Sequence, residues 1–365
     1  MSRIILTVSA IAAMAGLALA FPAASTSYID WKTYKATGVN LGGWLVQEST
    51  IDILTRRYAT WITTSDIDTL AANNVTILRI PTTYAAWVKV PGSQLYSGDQ
   101  ANYLKTIATY AVSKYNMHII LDIHSLPGGV NGMPFGEREG AFGWFQNATA
   151  LSYSYQAVSA ALSFISSSAF PSHFTLEPIN EPVDNRDITA FGSPYALSDN
   201  NATYVANYIK GVLSRVQAIN PSIPVMFQDG FKGEAYFSPS FPATANLVFD
   251  IHNYYFAGRG ADSATAEKLI CSDAKASAGD GKFPTFVGEW SVQTEVNNLY
   301  ANRKKLLNTG LYAFSKYTHG SAYWTAKFTG TAIVAGQGTQ ADYWNFEKFI
   351  SLGLVDAPSG AAYCP

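Results

Sequence analysis

The chain holds only two cysteines, Cys271 and Cys364, among 365 residues. So few exclude a disulfide-built scaffold, and their distance along the chain makes them a poor metal site. In an oxidising compartment one pairing is expected, tying the C-terminus back to the region before Glu289. Charge is scarce as well: 14% of residues are charged, against a typical ~25%, and the net charge is −2 with no basic stripe. Nucleic acid is therefore a poor partner. No glycine-rich phosphate or dinucleotide motif occurs, which argues against a barrel oxidoreductase. After the first twenty residues no apolar run reaches the roughly 20 residues that a spanning helix needs, and the tail at Ala361-Ala362-Tyr363-Cys364-Pro365 lacks the hydrophobic stretch of a lipid-anchor signal. No membrane partner is expected.

What is present begins with Arg3, an apolar run over residues 4–19, and Ala18-Leu19-Ala20 before Phe21. This pattern predicts a secretory signal peptide over 1–20, followed by one catalytic domain over 21–365 of a secreted, extracellular or cell-wall protein. The 22 Tyr, 20 Phe and 8 Trp are many for this length. Core packing accounts for most of them, but such rings also suit the apolar faces of sugars. Asn74, Asn147 and Asn201 each open an Asn-X-Thr glycosylation acceptor, with Asn74 the least favourable because it abuts a predicted strand.

Short β-rich segments alternate with helical patterns, the signature of βα units and a parallel sheet. Strands are predicted over 38–43, 75–80, 118–124, 174–180, 224–229, 247–252, 285–289 and 321–325. That count suits an α/β fold closed as a single (β/α)8 barrel, with long loops at the C-terminal ends of the strands. Leu104, Ile107, Ala108, Ala111, Val112 and Tyr115 recur at helical spacing, as do Val205, Tyr208, Ile209, Val212, Leu213 and Val216. Ser65 followed by Asp68 predicts the start of the helix before the second strand. Residues 231–246, which contain Pro239 and Pro242, leave little room for a helix and predict an irregular connection.

Two glutamates end apolar runs that read as buried strands: Glu181 in Leu176-Glu177-Pro178-Ile179-Asn180-Glu181-Pro182 and Glu289 in Phe286-Val287-Gly288-Glu289-Trp290-Ser291. A carboxyl pair at strand ends is the apparatus of glycoside hydrolysis, in which one group protonates the leaving oxygen and the other meets the charge growing on the sugar. Other strand ends carry Arg79, His124, Asn180, His252, Tyr254 and Trp324. His124 and His252 each follow an aspartate by two residues, Asp122 and Asp250, so each pair shares a strand face. A metal reading of these histidines finds no HxxxH or clustered-carboxylate spacing, and neither a metal nor a cofactor is expected. The two aspartates read as buried hydrogen-bond partners.

This set, in this order, resembles the family 5 glycoside hydrolases. Gly38-Val39-Asn40-Leu41-Gly42-Gly43-Trp44-Leu45-Val46-Gln47-Glu48, Leu126-Pro127-Gly128-Gly129 and Val287-Gly288-Glu289-Trp290-Ser291 resemble its exo-β-1,3-glucanase branch. The resemblance implies Glu181 as acid/base and Glu289 as nucleophile of a retaining double displacement. It further implies Arg79 and Tyr254 beside the nucleophile, Asn180 on the sugar 2-hydroxyl, and His124 and His252 as sugar-contacting or acid-orienting groups. Trp324 would form the floor under the sugar, Glu48 would hold the non-reducing-end hydroxyls, and Phe256 would form one side of an aromatic clamp at the mouth. Glu177 matches a structural glutamate. The loop Val130-Asn131-Gly132-Met133-Pro134-Phe135-Gly136-Glu137-Arg138-Glu139-Gly140 departs from the branch, with Met133 and Pro134 where an aromatic and an aspartate are usual.

The expected substrate is β-glucan polysaccharide or oligosaccharide, cut from chain ends at β-1,3 links by a monomer. Endo-β-1,3-glucanase, β-1,6-glucanase and glucan transglycosylase activities share the same chemistry. A non-catalytic wall-binding barrel is a reading of a different class, and one that would not need both glutamates.

Overall fold

The structure, a computed structural model, describes residues 26–46, 51–135, 137–356 and 363–364. The predicted signal segment and Glu48 lie outside them. Among the described residues, eight strands close into a parallel barrel: β1 (Ala36–Asn40), β2 (Ile77–Thr83), β3 (His118–Ser125), β4 (Phe174–Glu177), β5 (Val225–Gln228), β6 (Leu247–Tyr255), β7 (Thr285–Thr294) and β8 (Gly320–Tyr323). Each pairs with the next, and β1 pairs with β8. Between them lie α1 (Ile51–Thr60), α2 (Thr64–Ala72), α3 (Gln100–Tyr115), α4 (Ala148–Ser167), α5 (Asp199–Ile219), α6 (Glu234–Phe237), α7 (Ala266–Ala276) and α8 (Arg303–Tyr317). The chain then adds α9 (Ala341–Trp344) and α10 (Phe346–Ser351) beyond β8. The expected (β/α)8 fold is thus the fold observed.

The two helices predicted from apolar spacing are α3 and α5, and their stripes pack on the barrel's outer wall: Leu104, Ile107, Ala111 and Val112 are buried, as are Val205, Ile209, Val212 and Val216. The start of α2 differs from expectation. The Asp66 carboxylate accepts from both the backbone N–H and the hydroxyl of Thr63, so the cap lies at Thr63 rather than Ser65. β1 begins at Ala36 rather than Gly38, and β4 stops at Glu177, because Pro178 has no N–H to continue the ladder. Between β5 and β6 the single turn of α6 and a short 3-10 turn replace a full helix, as the prolines require.

Alternation along the strands turns every second side chain inward and so divides the barrel interior into layers. The lower layer is apolar, with Ala36, Ile77, Ile120, Met226, Val248, Phe286 and Ala322. Trp31 packs with this layer, its ring 5.3 Å from Phe286 and its Nε1–H donating to Thr175 Oγ1 at 3.0 Å. Two residues further along the same strands stand Arg79, Asp122, Asp250 and Trp324. The change from oil to charge therefore occurs within one strand repeat. On the outside, Cys271 of α7 is bonded to Cys364, the pairing expected from the sequence.

Candidate active site

Two local features of backbone aim the glutamates. Glu181 lies between Asn180 and Pro182, in the turn after β4, with φ 42°, in the left-handed region that non-glycine residues rarely occupy. Such a conformation costs on the order of 1–3 kcal/mol and persists only where the surroundings hold it. At the other strand, Asp250 pairs with Phe286 but His252 pairs with Glu289, so β7 holds one extra residue at this point. The bulge breaks the alternation that would turn Gly288 inward and presents Glu289 instead. Gly288 must remain without a side chain, because a Cβ there would stand 2.2 Å from the Asp250 carboxylate, which accepts the Gly288 N–H at 2.5 Å.

The outcome is that carboxylate oxygens of Glu181 and Glu289 and a ring nitrogen of His252 lie within 4.8 Å of one another, and both glutamates are almost entirely buried. His252 Nδ1 is 2.8 Å from Glu181 Oε1 and 3.7 Å from Glu289 Oε2. Tyr254 donates its hydroxyl to Glu289 Oε2 at 2.8 Å, and Arg79 donates to Glu289 Oε1 at 2.7 Å. The two groups expected beside Glu289 therefore hold its two oxygens, one each.

Arg79 is wholly buried and makes five hydrogen bonds. Its partners are Glu289, Asn40 (3.1 Å), Asn180 (2.9 Å) and both oxygens of Glu177 (2.7 and 2.9 Å). It also pairs with Asp122 at 3.0 Å. Burial alone would lower its pKa, but Asp122, Glu177 and Glu289 outweigh that and hold it above its ordinary value. Glu177 is thus a structural partner of the cation, as expected. Burial holds its carboxyl well above the usual range in spite of Arg79. The Asp122 carboxylate accepts from His124 Nδ1 at 2.6 Å, while His124 Nε2 faces the Asn180 amide at 3.3 Å. Asp122 and Asp250 are the buried hydrogen-bond partners that the sequence predicts.

For Glu289, burial pushes the pKa up, His252 and Arg79 pull it down, and Glu181 pushes it up again. The net direction is upward. His252 runs the other way. Its burial favours the neutral ring, but Glu289, Asp250 and Glu181 together raise it well above the ordinary imidazole value. Among the described residues, two sets of groups, Glu181 with His252 and Glu289, and Glu177 with Asp250 and His252, bring three ligand-type atoms close enough for one cation. In both, however, Arg79, Tyr254, His252 or a backbone N–H already engages the oxygens of Glu177, Asp250 and Glu289 and Oε1 of Glu181.

A sequence model of the family described as Cellulase (glycosyl hydrolase family 5) matches residues 35–330. The chain belongs to glycosyl hydrolase family 5. It is a glycoside hydrolase, similar over 91% of its length to the probable glucan 1,3-beta-glucosidase A of Aspergillus niger, at 27% identity and 81% coverage of that protein. Glucan 1,3-beta-glucosidase 1 of Schizosaccharomyces pombe is 24% identical over 87% of this chain and 89% of its own. Among solved structures, the rutinosidase from Aspergillus niger is 50% identical, with a TM-score of 0.89 over 90% of this chain and all of that one. The structure named AoRut is 54% identical, with a TM-score of 0.88 over 90% of this chain and 99% of that one.

In this family 5 enzyme the glutamates stand in a cavity of about 740 Å³. Trp324 lines it, only partly buried, stacked over His124 at 5.7 Å. Phe256 lines it too, 5.4 Å from Trp344. The departing loop contributes Met133 and Phe135, whose ring is 5.4 Å from His124, so an aromatic still reaches the cavity, two positions later than in the related pattern. The sequence reading missed Trp344, which stacks on Tyr254 at 5.7 Å, and the wall built by Ile188, Phe191 and Phe231. Phe191 and Phe231 lie in loops, and Ile188 and Trp344 in single turns too short to show a period. Only the position of their segments after strand ends could have pointed to them.

Proposed function

We propose that this enzyme is a retaining β-glycosidase in which Glu181 is the acid/base and Glu289 the nucleophile. The observation that supports the reading is the closeness of the two carboxylates, an oxygen of each lying within 4.8 Å of the other: carboxyl groups ~5–5.5 Å apart suit direct attack on the sugar, whereas inversion needs ~6.5–9.5 Å to admit a water. Glu181 gives its proton to the leaving oxygen as the C1–O electron pair departs, and Glu289 bonds to C1. A water then attacks C1, loses a proton to Glu181 and displaces Glu289. Asn180, held by Arg79 and His124, bonds the 2-hydroxyl as the ring flattens. Trp324 offers a flat apolar surface to the sugar.

For substrate, we favour a rutinoside, a β-glucoside whose glucose carries a 6-linked rhamnose, over a glucan chain end. Identity of 50% to the rutinosidase, against 24 and 27% to the glucan glucosidases, supports this choice. A cavity of about 740 Å³ with apolar and aromatic walls also exceeds the needs of one glucosyl unit and suits a drug-sized diglycoside. Exo action on β-1,3-glucan is the second reading, supported by the Gly38–Trp44 motif and the glucosidase relatives. Product analysis on rutin, laminarin, a β-1,6-glucan and a β-mannan, with Glu289→Ala as control, tests both. Rutinose from rutin supports the first reading, and glucose from laminarin the second. Silence on all four, or an α-anomer as first product, refutes the glycosidase mechanism. We further propose that residues 1–20 are a removed signal peptide, a reading the Cys271–Cys364 bond supports. N-terminal sequencing of exported protein should begin at Phe21; retention of Met1 would refute it.

A further inference from the structure

His252 is held at both ring nitrogens. Nδ1 faces Glu181 Oε1 at 2.8 Å, and Nε2 faces Asp250 Oδ2 at 3.1 Å. Asp250 cannot drift, since its other oxygen accepts the Gly288 N–H and Arg79 Nε stands 3.7 Å away. A neutral imidazole between two carboxylates always leaves one nitrogen lone pair facing an anion. The arrangement is satisfied when the ring carries two protons, or when the proton on the Nδ1 side rests on Glu181.

We propose that Asp250 is a positioning residue for the proton step: by accepting Nε2–H it leaves the proton shared between His252 Nδ1 and Glu181 as the mobile one, so that His252 stores that proton in the resting enzyme. The inference rests on the assignment of Glu181 as acid/base. In the first half-reaction the Nδ1 proton passes to Glu181 and on to the leaving oxygen, while the C1–O bond breaks and the C1–Glu289 bond forms. His252 is then neutral, with Nε2–H still on Asp250. In the second half-reaction water bonds to C1, the bond to Glu289 breaks, and the water's proton passes through Glu181 back to Nδ1. Each cycle therefore returns His252 to its starting state, with no other proton donor required.

The charges around the ring favour this role. Glu181 faces it from the turn after β4 and Glu289 from within β7, and Asp250 faces it from its own strand. Asp229 at the end of β5 acts on it through space, and Arg79 on β2 and Glu177 on β4 act on it through Asp250. The acids outnumber Arg79, and a cationic ring offsets their excess. Burial alone would raise Asp250, but His252, Arg79 and the hydrogen bond from Glu177 outweigh it and keep Asp250 ionised, the state the role needs. An aspartate fixing tautomer and charge of a histidine is a recurring device in proton-transfer sites.

The test compares Asp250→Asn with the wild-type protein on phenyl and 2,4-dinitrophenyl β-glycosides of whichever sugar the wild type releases. Dinitrophenolate departs without a proton, whereas phenolate needs one. The expected result is a loss of tenfold or more in kcat/KM with the phenyl glycoside, a much smaller loss with the dinitrophenyl glycoside, and an alkaline limb of the pH profile lowered by about one unit. Equal losses on both substrates with an unmoved alkaline limb would overturn the proposal, since a merely structural role gives that pattern. If the variant fails to fold, nitrogen-15 NMR of histidine-labelled wild type, assigned with His252→Gln, decides instead. Both ring nitrogens protonated at pH 7.5 supports the proposal, and a singly protonated ring refutes it. A wild type silent on both glycosides rejects the glycosidase reading itself, and the NMR result still tests the state of His252.

Discussion

Removing one oxygen tests how Glu289 is kept ready. Tyr254 donates to Glu289 Oε2 at 2.8 Å, so Tyr254→Phe deletes a bond to the ionised form and leaves the ring, with its stacking on Trp344, in place. A hydrogen bond to a charged group contributes about 1.5–3 kcal/mol. At 1.36 kcal/mol per pH unit, its loss raises the Glu289 pKa by about one to two units. Glu289 already lies above the ordinary glutamate value because of burial, so the shift adds to an existing displacement in the same direction. The acid limb of kcat/KM on an aryl β-glycoside reports the free-enzyme carboxyl. It should begin above 4.5 in the wild type and move upward by that amount in the variant, while the alkaline limb remains. An acid limb that stays put or moves down would refute the reasoning, whatever the loss in rate.

Other consequences concern the scaffold. Gly288→Ala forces a methyl to within 2.2 Å of the Asp250 carboxylate, and overpacking of this kind should lower stability by roughly 1–3 kcal/mol or more, read as a fall in denaturation midpoint. Cys271→Ser opens a loop of 93 residues, worth about 4 to 5 kcal/mol in the chain-entropy model; urea unfolding should show most of that loss, and an unchanged midpoint would contradict it. Burial pushes Asp229 up to about 6, against 3.8 for the free group. Between those values the native state holds a proton that the unfolded chain has lost, so this group favours folding below pH 3.8, and the advantage is lost as pH rises through 6. The change amounts to about 3 kcal/mol. Asp229→Asn should flatten the stability curve over pH 4–6, and an unchanged slope would refute the assignment.

Much of this protein is legible one segment at a time. The apolar runs around Ile120, Val248 and Val287 read as buried strands because both faces of a barrel strand are covered. The stripes of α3 and α5 follow the helical period. Glu181, Glu289, Arg79, Tyr254 and the two histidines could be nominated because each ends a strand run, where barrels build their sites. Boundaries were harder to read: the α2 cap at Thr63 and the end of β4 depend on one hydrogen bond and one missing N–H. Trp344, Phe191 and Phe231 were not legible, because nothing in their neighbours' periodicity marks an inward-facing ring.

The sequence by itself determined the alternation of strands and helices and the kinds of side chain at the strand ends, since hydrophobic period and local chemistry are properties of neighbours along the chain. Only the tertiary structure decided that one buried arginine would gather Glu177, Asn180 and Glu289. It also decided that a bulge at Gly288 would turn Glu289 inward, and that His252 would stand between Glu181 and Asp250. Those relations join residues up to 210 positions apart, and ring closure with its register is what brings them within hydrogen-bond reach.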